Sequence, residues 1–170
     1  DGVIRMKHIK IVIGANFGDE GKGITTDFFC KQFPKKQKVL NVRFNGGSQA
    51  GHTVVQKDGK RHVFHNFGAG SFNPNVTTYL TEYSFIEPIN FLREKEELKS
   101  LGIRPNIQID PSANIILPYD IFLNQMLEIS RGNNRHGSCG CGIWECVQRS
   151  KVKRFIPLYF RYTDEEKIKK

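Results

Sequence analysis

The residues of this chain that could do chemistry are concentrated in two glycine-rich segments. The first glycine loop, residues 14–23, reads Gly-Ala-Asn-Phe-Gly-Asp-Glu-Gly-Lys-Gly. A glycine-rich turn between a strand and a helix presents backbone N–H groups and the positive end of the helix dipole to an anion, commonly a phosphate. Lys22 would add a full positive charge. The loop therefore predicts a phosphate-binding site.

The acidic pair Asp19-Glu20 is unusual inside such a loop. A carboxylate repels a neighbouring phosphate unless a metal ion lies between them or the carboxylate exchanges protons. The alternative is a solvent-facing turn in which Gly21 and Gly23 accept positive φ. The loop also departs from the Walker A pattern, because Asn16 stands at its first glycine and Gly23 at its magnesium-binding Ser or Thr.

The second glycine loop, residues 46–53, reads Gly-Gly-Ser-Gln-Ala-Gly-His-Thr and also follows a predicted strand. In a parallel sheet both loops emerge at the same carboxyl edge, which is where ligands bind in open α/β folds. This placement would bring His52 towards Asp19. A histidine facing a carboxylate across a phosphate is a candidate acid for that base.

Alternating strand and helix patterns must position these loops. The predicted elements are strands at 8–13 and 38–44, a helix at 25–33, a hairpin of 53–56 with 61–64 around Asp58-Gly59, a helix at 89–101, short strands at 106–110 and 113–117, and a helix at 119–129 whose apolar stripe includes Met126 as a core residue. Such alternation predicts an α/β fold with a mainly parallel sheet, flanking helices, a P-loop-NTPase-like first unit and a small hairpin insertion.

Length and composition fit one globular domain over residues 1–170. Hydrophobic residues make up 38% of the chain, and no run has the roughly 18 apolar residues of a membrane span. The formal net charge of +9 favours phosphate-bearing partners. We do not expect nucleic-acid binding, because no recognised reading module accompanies the charge. The last twenty residues have the least ordered composition.

Four cysteines do not form the pattern of a disulfide framework, and we expect a reducing, cytoplasmic location. Three of them, with a histidine, offer an alternative zinc site: His136, Cys139, Cys141 and Cys146. The paired Cys-x2-Cys spacing of zinc knuckles is absent from this group. Reduced thiols in a substrate loop are the favoured interpretation.

The two glycine loops, in their order and spacing, resemble those of the adenylosuccinate synthetase family. That family has a Trp-Gly-Asp-Glu-Gly-Lys-Gly loop followed by a Gly-Gly-x-Asn-Ala-Gly-His-Thr loop. The resemblance continues through residues 65–70 and reaches a third loop, residues 137–143, read Gly-Ser-Cys-Gly-Cys-Gly-Ile. It covers nearly the whole chain but only the N-terminal part of a typical member. It therefore implies a fragment of a longer synthetase that is inactive alone.

In that family GTP phosphorylates O6 of IMP, and the amino group of L-aspartate then displaces the phosphate to give adenylosuccinate. The resemblance implies that Asp19 removes the N1 proton and helps hold Mg²⁺, that His52 assists at the phosphates, and that Lys22 stabilises the transferring phosphoryl group. The Gly51 carbonyl would be a second magnesium ligand. The implied nucleotide-binding set is Gly18, Asp19, Glu20, Gly21, Lys22, Gly23, Ile24, Gln49, Ala50, Gly51, His52, Thr53 and Cys139.

The family also implies a homodimer in which a basic residue of one subunit reaches the monophosphate bound by the other. Arg149, Lys153 and Arg154 are candidates for this residue, and ungapped counting favours Lys153.

Several positions depart from the family pattern, among them Phe17, Ile24, Gln49, Cys139 and Trp144. The catalytic acid and histidine are kept while the monophosphate-binding positions differ, which suggests an altered purine, such as the guanine-type acceptor of phage 2-aminoadenylosuccinate synthetases. Two other functions stay open. One is a homologue that holds nucleotide without turnover, and the other is a P-loop NTPase or kinase of a different kind. Sequence alone does not separate GTP from ATP as the triphosphate.

Overall fold

The computed structural model describes residues 9–34, 36–44 and 46–151. Four α-helices and seven strands form within these ranges. The helices are α1 (Lys22–Lys31), α2 (Pro88–Ser100), α3 (Pro118–Ser130) and α4 (Ile143–Lys151). The strands are β1 (Val39–Arg43), β2 (His52–Val55), β3 (Arg61–Phe64), β4 (Val76–Leu80), β5 (Phe85–Ile86), β6 (Asn106–Ile109) and β7 (Asn114–Ile115).

Parallel pairing organises most of the strands. The main sheet has the order β1-β4-β6, and β5 pairs with β7 in a second, two-stranded parallel sheet. Parallel neighbours require crossover connections, and α2 lies in the connection from β4 to β6 and in that from β5 to β7. The expected α/β class with a mainly parallel sheet is confirmed.

The predicted hairpin is present as the antiparallel pair β2-β3. His52 lies opposite Phe64, and Val54 lies opposite His62. Directly opposed residues share a face of the ribbon, and Val54, His62 and Phe64 on this face are buried. The hairpin therefore carries His52 on its inward face.

The hydrophobic core lies between this hairpin, the strand ends and α2. Its buried members include Val54, Phe64, Phe67, Ala69, Leu80, Ile86, Phe91, Leu98 and Ile107. The Phe67 and Phe91 rings stack with centroids 5.0 Å apart. This packing fixes α2 beside the segment that follows β3.

The strand predicted at 8–13 is not formed in the described residues 9–14. Its isoleucines at 9, 11 and 13 are 70%, 81% and 82% exposed. A β-branched run favours extended backbone, but a strand also needs a partner, and no described strand pairs with this segment. The prediction of a buried strand there is wrong.

Helix α1 begins earlier than predicted. Its first residue is Lys22, and its N-cap is Gly21 with φ +77°. Because the helix starts inside the glycine loop, its free N–H groups belong to that loop.

The apolar stripe predicted for α3 is largely exposed, and Met126 is 47% exposed rather than part of the core. The buried residues of α3 are Asp120 and Asn124, which are polar. Amphipathic spacing shows that a helix has two faces; the partner, here α4, determines which face is covered.

None of the described helices is long and apolar enough to cross a membrane. The prediction of low order for the last twenty residues falls mostly on 152–170, which lie outside the described residues.

Candidate functional site

The first glycine loop adopts a backbone that only a few residue types tolerate. Gly18 has φ +133°, Asp19 +56° and Gly21 +77°. Asp19 is the only non-glycine residue with positive φ in the described part of the chain. Residues held in this region of φ/ψ space concentrate at functional sites. The turn leads directly into the N-terminus of α1 at Lys22.

The two acids of this loop have different surroundings. The Glu20 carboxylate accepts hydrogen bonds from the Asn16 backbone N–H and from the Lys22 ammonium. The hydrogen bond from Lys22, followed by that from Asn16, lowers the pKa of Glu20. Asp19 is exposed, and its carboxylate makes no hydrogen bond or ion pair with the described residues. Glu20 thus organises the loop, and Asp19 stays available to a ligand.

The first turn of α1 lies directly against His52. A Cβ added to Gly23 would stand 2.8 Å from the His52 Cβ and 3.1 Å from its carbonyl carbon. Only glycine permits so close an approach. The start of α1, in the first glycine loop, therefore lies against the second glycine loop at His52. The predicted approach of His52 to Asp19 stays a prediction.

The His52 ring is partly buried, and basic side chains act on its protonation. Burial lowers the pKa of His52 most, and the charges of Arg43, Lys22 and His65 lower it further. The neutral imidazole is favoured, and the combined field attracts an anion.

The second glycine loop is held at both ends. At its start, the Gly46 carbonyl accepts the Phe85 N–H at 3.1 Å. Further along, the Ser48 carbonyl lies 2.8 Å from His65 Nδ1. A Cβ on Gly51 would stand 2.8 Å from Val63 Cγ1, so this glycine lies tightly against strand β3.

The third loop approaches the second through the start of α4. A Cβ on Gly47 would lie 2.9 Å from Ile143 Cδ1. Helix α3 holds the loop itself, since Glu128 accepts the Gly137 N–H at 3.0 Å. Cys139 is exposed in this loop. Burial, followed by a hydrogen bond with Cys139, raises the pKa of Cys141 to about 11.

Arg149 does not have a free guanidinium to offer a neighbouring subunit. Its Nη2 donates to the Asp120 carboxylate at 2.8 Å and to the Ile115 carbonyl at 2.6 Å. Asp120 is 1% exposed, and this pair joins α3 to α4. Lys153 and Arg154, the other candidates, lie outside the described residues.

Three further residues at the site were not predicted from the sequence: Arg43, His65 and Glu94. Arg43 donates to the Phe67 carbonyl at 3.3 Å, and Glu94 accepts N–H groups of the turn after β3. Arg43 and Glu94 were each one charged residue among many, and these two partners are 24 and 29 positions away. His65 lies 17 positions from Ser48, the residue that its ring contacts. Local sequence patterns do not reveal contacts between residues so far apart in the chain.

Comparison with known proteins identifies relatives of this arrangement. A family model described as adenylosuccinate synthetase matches residues 11–168. An adenylosuccinate synthetase of Psychrobacter sp. (strain PRwf-1) is 35% identical over 163 residues, which are 94% of this chain and 37% of that protein. One from Stutzerimonas stutzeri is 35% identical over 146 residues, 85% of this chain and 80% of that protein. This chain thus spans little more than a third of the length of the Psychrobacter relative.

Two solved structures are similar to the described fold. A fully ligated adenylosuccinate synthetase from Plasmodium falciparum matches with a TM-score of 0.70 and 26% identity, over 85% of this chain and 33% of that one. The cyanophage S-2L succinoaminodeoxyadenylate synthetase, bound to dGMP and to dATP as an energy donor, matches with a TM-score of 0.65 over 88% of this chain and 40% of that one. Its identity is 20%, so this second match shows the fold alone.

Proposed function

This chain belongs to the adenylosuccinate synthetase family, and on that basis we propose that it provides the phosphate loops of a ligase that joins L-aspartate to C6 of a purine nucleoside monophosphate. A nucleoside triphosphate, GTP or ATP, drives the reaction through a 6-phosphoryl intermediate. The contact of Gly23 with His52 carries the proposal, because it brings the N-terminus of α1 and a partly buried imidazole to one anion-attracting place.

The roles of the residues follow from their surroundings. Asp19, whose carboxylate has no partner among the described residues, removes the N1 proton of the purine so that O6 becomes nucleophilic. Lys22 and the free N–H groups at the start of α1 stabilise the transferring phosphoryl group, for which positioning and electrostatics provide most of the rate. His52 donates a hydrogen bond or proton to the phosphates. Glu20 holds Lys22 in the loop.

The donor set fits Mg²⁺. Asp19 offers a carboxylate oxygen and Gly51 a backbone carbonyl, which are hard ligands, and Mg²⁺ usually takes one or two carboxylates together with substrate phosphates and water. No group of three or more His, Cys, Asp or Glu side chains suited to a metal ion occurs among the residues described. A magnesium ion whose other ligands are substrate phosphates and water does not need such a group. When bound, Mg²⁺ neutralises phosphate charge, and Asp19 and Gly51 would hold it.

The acceptor base is the open specificity question. Gln49 and Cys139 stand where the family has an Asn and a Thr that hold the monophosphate, so a guanine-type monophosphate is the second candidate acceptor beside IMP. The cyanophage protein of similar fold is bound to dGMP. The proposed enzyme is cytoplasmic and a homodimer.

The test measures binding and turnover separately. We expect calorimetry of this chain to show binding of IMP or dGMP in the presence of Mg²⁺, and an assay of the full-length synthetase with GTP or ATP to show phosphate release that depends on aspartate. Binding without release in the full-length protein would support the alternative function, a homologue that holds nucleotide and does not react. Absence of both would overturn the proposal.

Thiol labelling provides a second binding measurement on the same protein. Cys139 is exposed, whereas Cys30 and Cys146 are buried, and burial raises the pKa of each of those two to about 11. Iodoacetamide at neutral pH should therefore modify Cys139 before Cys30 and Cys146. Saturating IMP or dGMP should slow the modification of Cys139 at least about fivefold if this residue faces the monophosphate. Unchanged labelling at saturating ligand would remove Cys139 from the binding site.

A further inference from the structure

We propose that Glu94 and His65 are positioning residues for the second glycine loop: Glu94 holds the turn formed by residues 65–67, and His65 in that turn holds the Ser48 carbonyl. The role of this loop in nucleotide binding rests on the proposed function. The contacts themselves, and the first measurement below, do not.

The buried carboxylate of Glu94, on α2, accepts hydrogen bonds from several N–H groups. One of its oxygens accepts the N–H of His65 at 2.9 Å and that of Phe67 at 3.4 Å. The other accepts the backbone N–H of Asn66 at 2.6 Å and its side-chain Nδ2 at 2.9 Å. The residue is 4% exposed. Charge-assisted hydrogen bonds of this kind are stronger than neutral ones, and together they define the path of three consecutive residues.

The Glu94 carboxylate is charged at neutral pH despite its burial. Burial raises the pKa of Glu94, but the nearby His62 ring, 3.5 Å from the carboxylate, and hydrogen bonds from the backbone of Asn66 and His65 lower it, and the result lies below the ordinary value. An uncharged glutamine amide could accept the N–H groups on one side only, because its other end is a donor.

Arg43 holds the same turn from the other direction. Its Nη1 donates to the Phe67 carbonyl at 3.3 Å. Arg43 is the last residue of β1, just before the second glycine loop. The turn is therefore fastened both to α2 and to the strand from which the loop emerges.

His65 connects this turn to the second glycine loop by a hydrogen bond. The Ser48 carbonyl can only accept, so Nδ1 of His65 carries the hydrogen and donates at 2.8 Å. The Cε1 atom of the same ring lies 3.2 Å from the position of a Cβ on Gly51. One imidazole thus binds Ser48 and fills the space next to Gly51, at the two ends of the segment that precedes His52.

Contacts from outside the second glycine loop matter because its own glycine-rich backbone is little constrained. It contains glycines at 46, 47 and 51, which lose the most conformational entropy on ordering. A ligand that must order such a loop binds more weakly, whereas a loop that is already ordered binds without that cost. Glu94 and His65 act on the ligand through the loop, without touching it.

The experiment uses two variants of His65 with opposite hydrogen-bonding ability. His65→Asn retains a donor near the position of Nδ1, and His65→Leu removes it while keeping an apolar side chain. We expect early-time hydrogen exchange in the peptide covering residues 46–53 to rise about tenfold in His65→Leu, the equivalent of one lost hydrogen bond. His65→Asn should stay within about threefold of the unmodified chain. The affinity for IMP, measured by calorimetry, should follow the same order.

Glu94→Gln adds an independent arm with a matched control. It should raise exchange both in residues 65–67 and in 46–53, whereas Glu97→Gln, an exposed acid one turn further along α2, should change neither. Equal exchange at 46–53 in His65→Leu and the unmodified chain would overturn the proposal. So would an equal rise in the Leu and Asn variants, because packing alone would then explain the effect.

The readouts separate this proposal from the proposed function. If the unmodified chain binds neither IMP nor dGMP, the function fails while the exchange result still decides the positioning role. If Glu94→Gln loosens the whole chain, the two His65 variants decide it.

Discussion

At the level of single residues, the two acids of the first glycine loop have different surroundings. Glu20 is bound by Asn16 and Lys22 within the loop, whereas the Asp19 carboxylate is exposed on a left-handed backbone. A carboxylate already neutralised by a lysine does not repel a phosphate strongly, and one without a partner can hold a metal ion or take a proton. The pair therefore has one member that organises the loop and one, Asp19, whose carboxylate has no partner among the described residues.

This division predicts the effect of Asp19→Asn. The change removes a base and a charged metal ligand but leaves the loop backbone and Lys22 in place. In the full-length synthetase, we expect aspartate-dependent phosphate release to fall by about 10²–10⁴-fold, and the gain in triphosphate affinity provided by Mg²⁺ to disappear. The affinity for IMP should stay within about threefold. Steady-state kinetics and calorimetry measure these effects.

Asp58→Asn is the matched control, since Asp58 is an exposed acid in the turn of the hairpin. It should leave phosphate release, the gain in triphosphate affinity provided by Mg²⁺ and the affinity for IMP unchanged. Full turnover in Asp19→Asn would remove the general-base role.

At the level of elements, the close approach of α1 to strand β2 brings the two glycine loops together. The approach depends on the missing side chain of Gly23, since the nearest atoms include the His52 backbone, which cannot rotate away. Helix α1 also lacks a side-chain N-cap. Its N-terminal N–H groups are therefore left for a ligand rather than satisfied internally.

Gly23→Ala should separate packing from helix propensity. Alanine favours a helix by about 1 kcal/mol over glycine, so propensity alone predicts stabilisation. The contact with His52 predicts the opposite, a net loss of about 1–2 kcal/mol in the free energy of unfolding, with weaker nucleotide binding. Urea unfolding and calorimetry provide the two measurements. The control is Thr25→Ala, two residues along the same helix, which should shift the free energy of unfolding by no more than about 0.5 kcal/mol. A Gly23→Ala variant more stable than the unmodified chain would contradict the predicted contact with His52.

At the level of the whole molecule, buried polar contacts tie distant segments together. Asp120 with Arg149 joins α3 to α4, and Glu94 joins α2 to the turn after β3. Apolar side chains remain exposed elsewhere, including Leu40, Val42 and Phe44 and the isoleucines at 9, 11 and 13. Parallel sheets are normally covered on both faces, so the described sheet differs from the usual arrangement on this side.

The buried carboxylate of Glu94 predicts a pH dependence of stability. Its pKa lies below the ordinary 4.5 in the folded chain, so the unfolded chain binds more protons in acid. The contribution of Glu94 is then complete above about pH 4.5 and is lost as pH falls through its folded pKa. Glu94→Gln should lower the free energy of unfolding at pH 7 by roughly 1–3 kcal/mol and flatten its dependence on pH between 5 and 3.

Urea unfolding at several pH values measures this effect. The exposed acid variant Glu96→Gln should keep the slope of the unmodified chain. An equal slope in Glu94→Gln would show that other carboxylates account for the acid sensitivity.

Local patterns were sufficient for much of the fold. The helices at 88–100 and 118–130, the hairpin and the outer strand β1 were predicted close to their observed bounds, because turn residues and apolar periodicity act over a few positions. The glycine loops and their resemblance to a family were likewise readable, since unusual residues such as Asp19 and His52 stand at fixed spacings. Strand β4, at the centre of the main sheet, was missed: its Val-Thr-Thr-Tyr-Leu lacks a clear alternation of polar and apolar residues.

Contacts between distant parts of the chain settled the rest. Residues 9–14 have strand-forming side chains but no partner in the described sheet, and α3 buries Asp120 and Asn124 because α4 offers Arg149 and Glu145. The hold of Glu94 on the turn at 65–67 spans 27 to 29 positions. Propensity and spacing carry no information about such partners, because pairing and burial are properties of surfaces that exist only once the chain has folded.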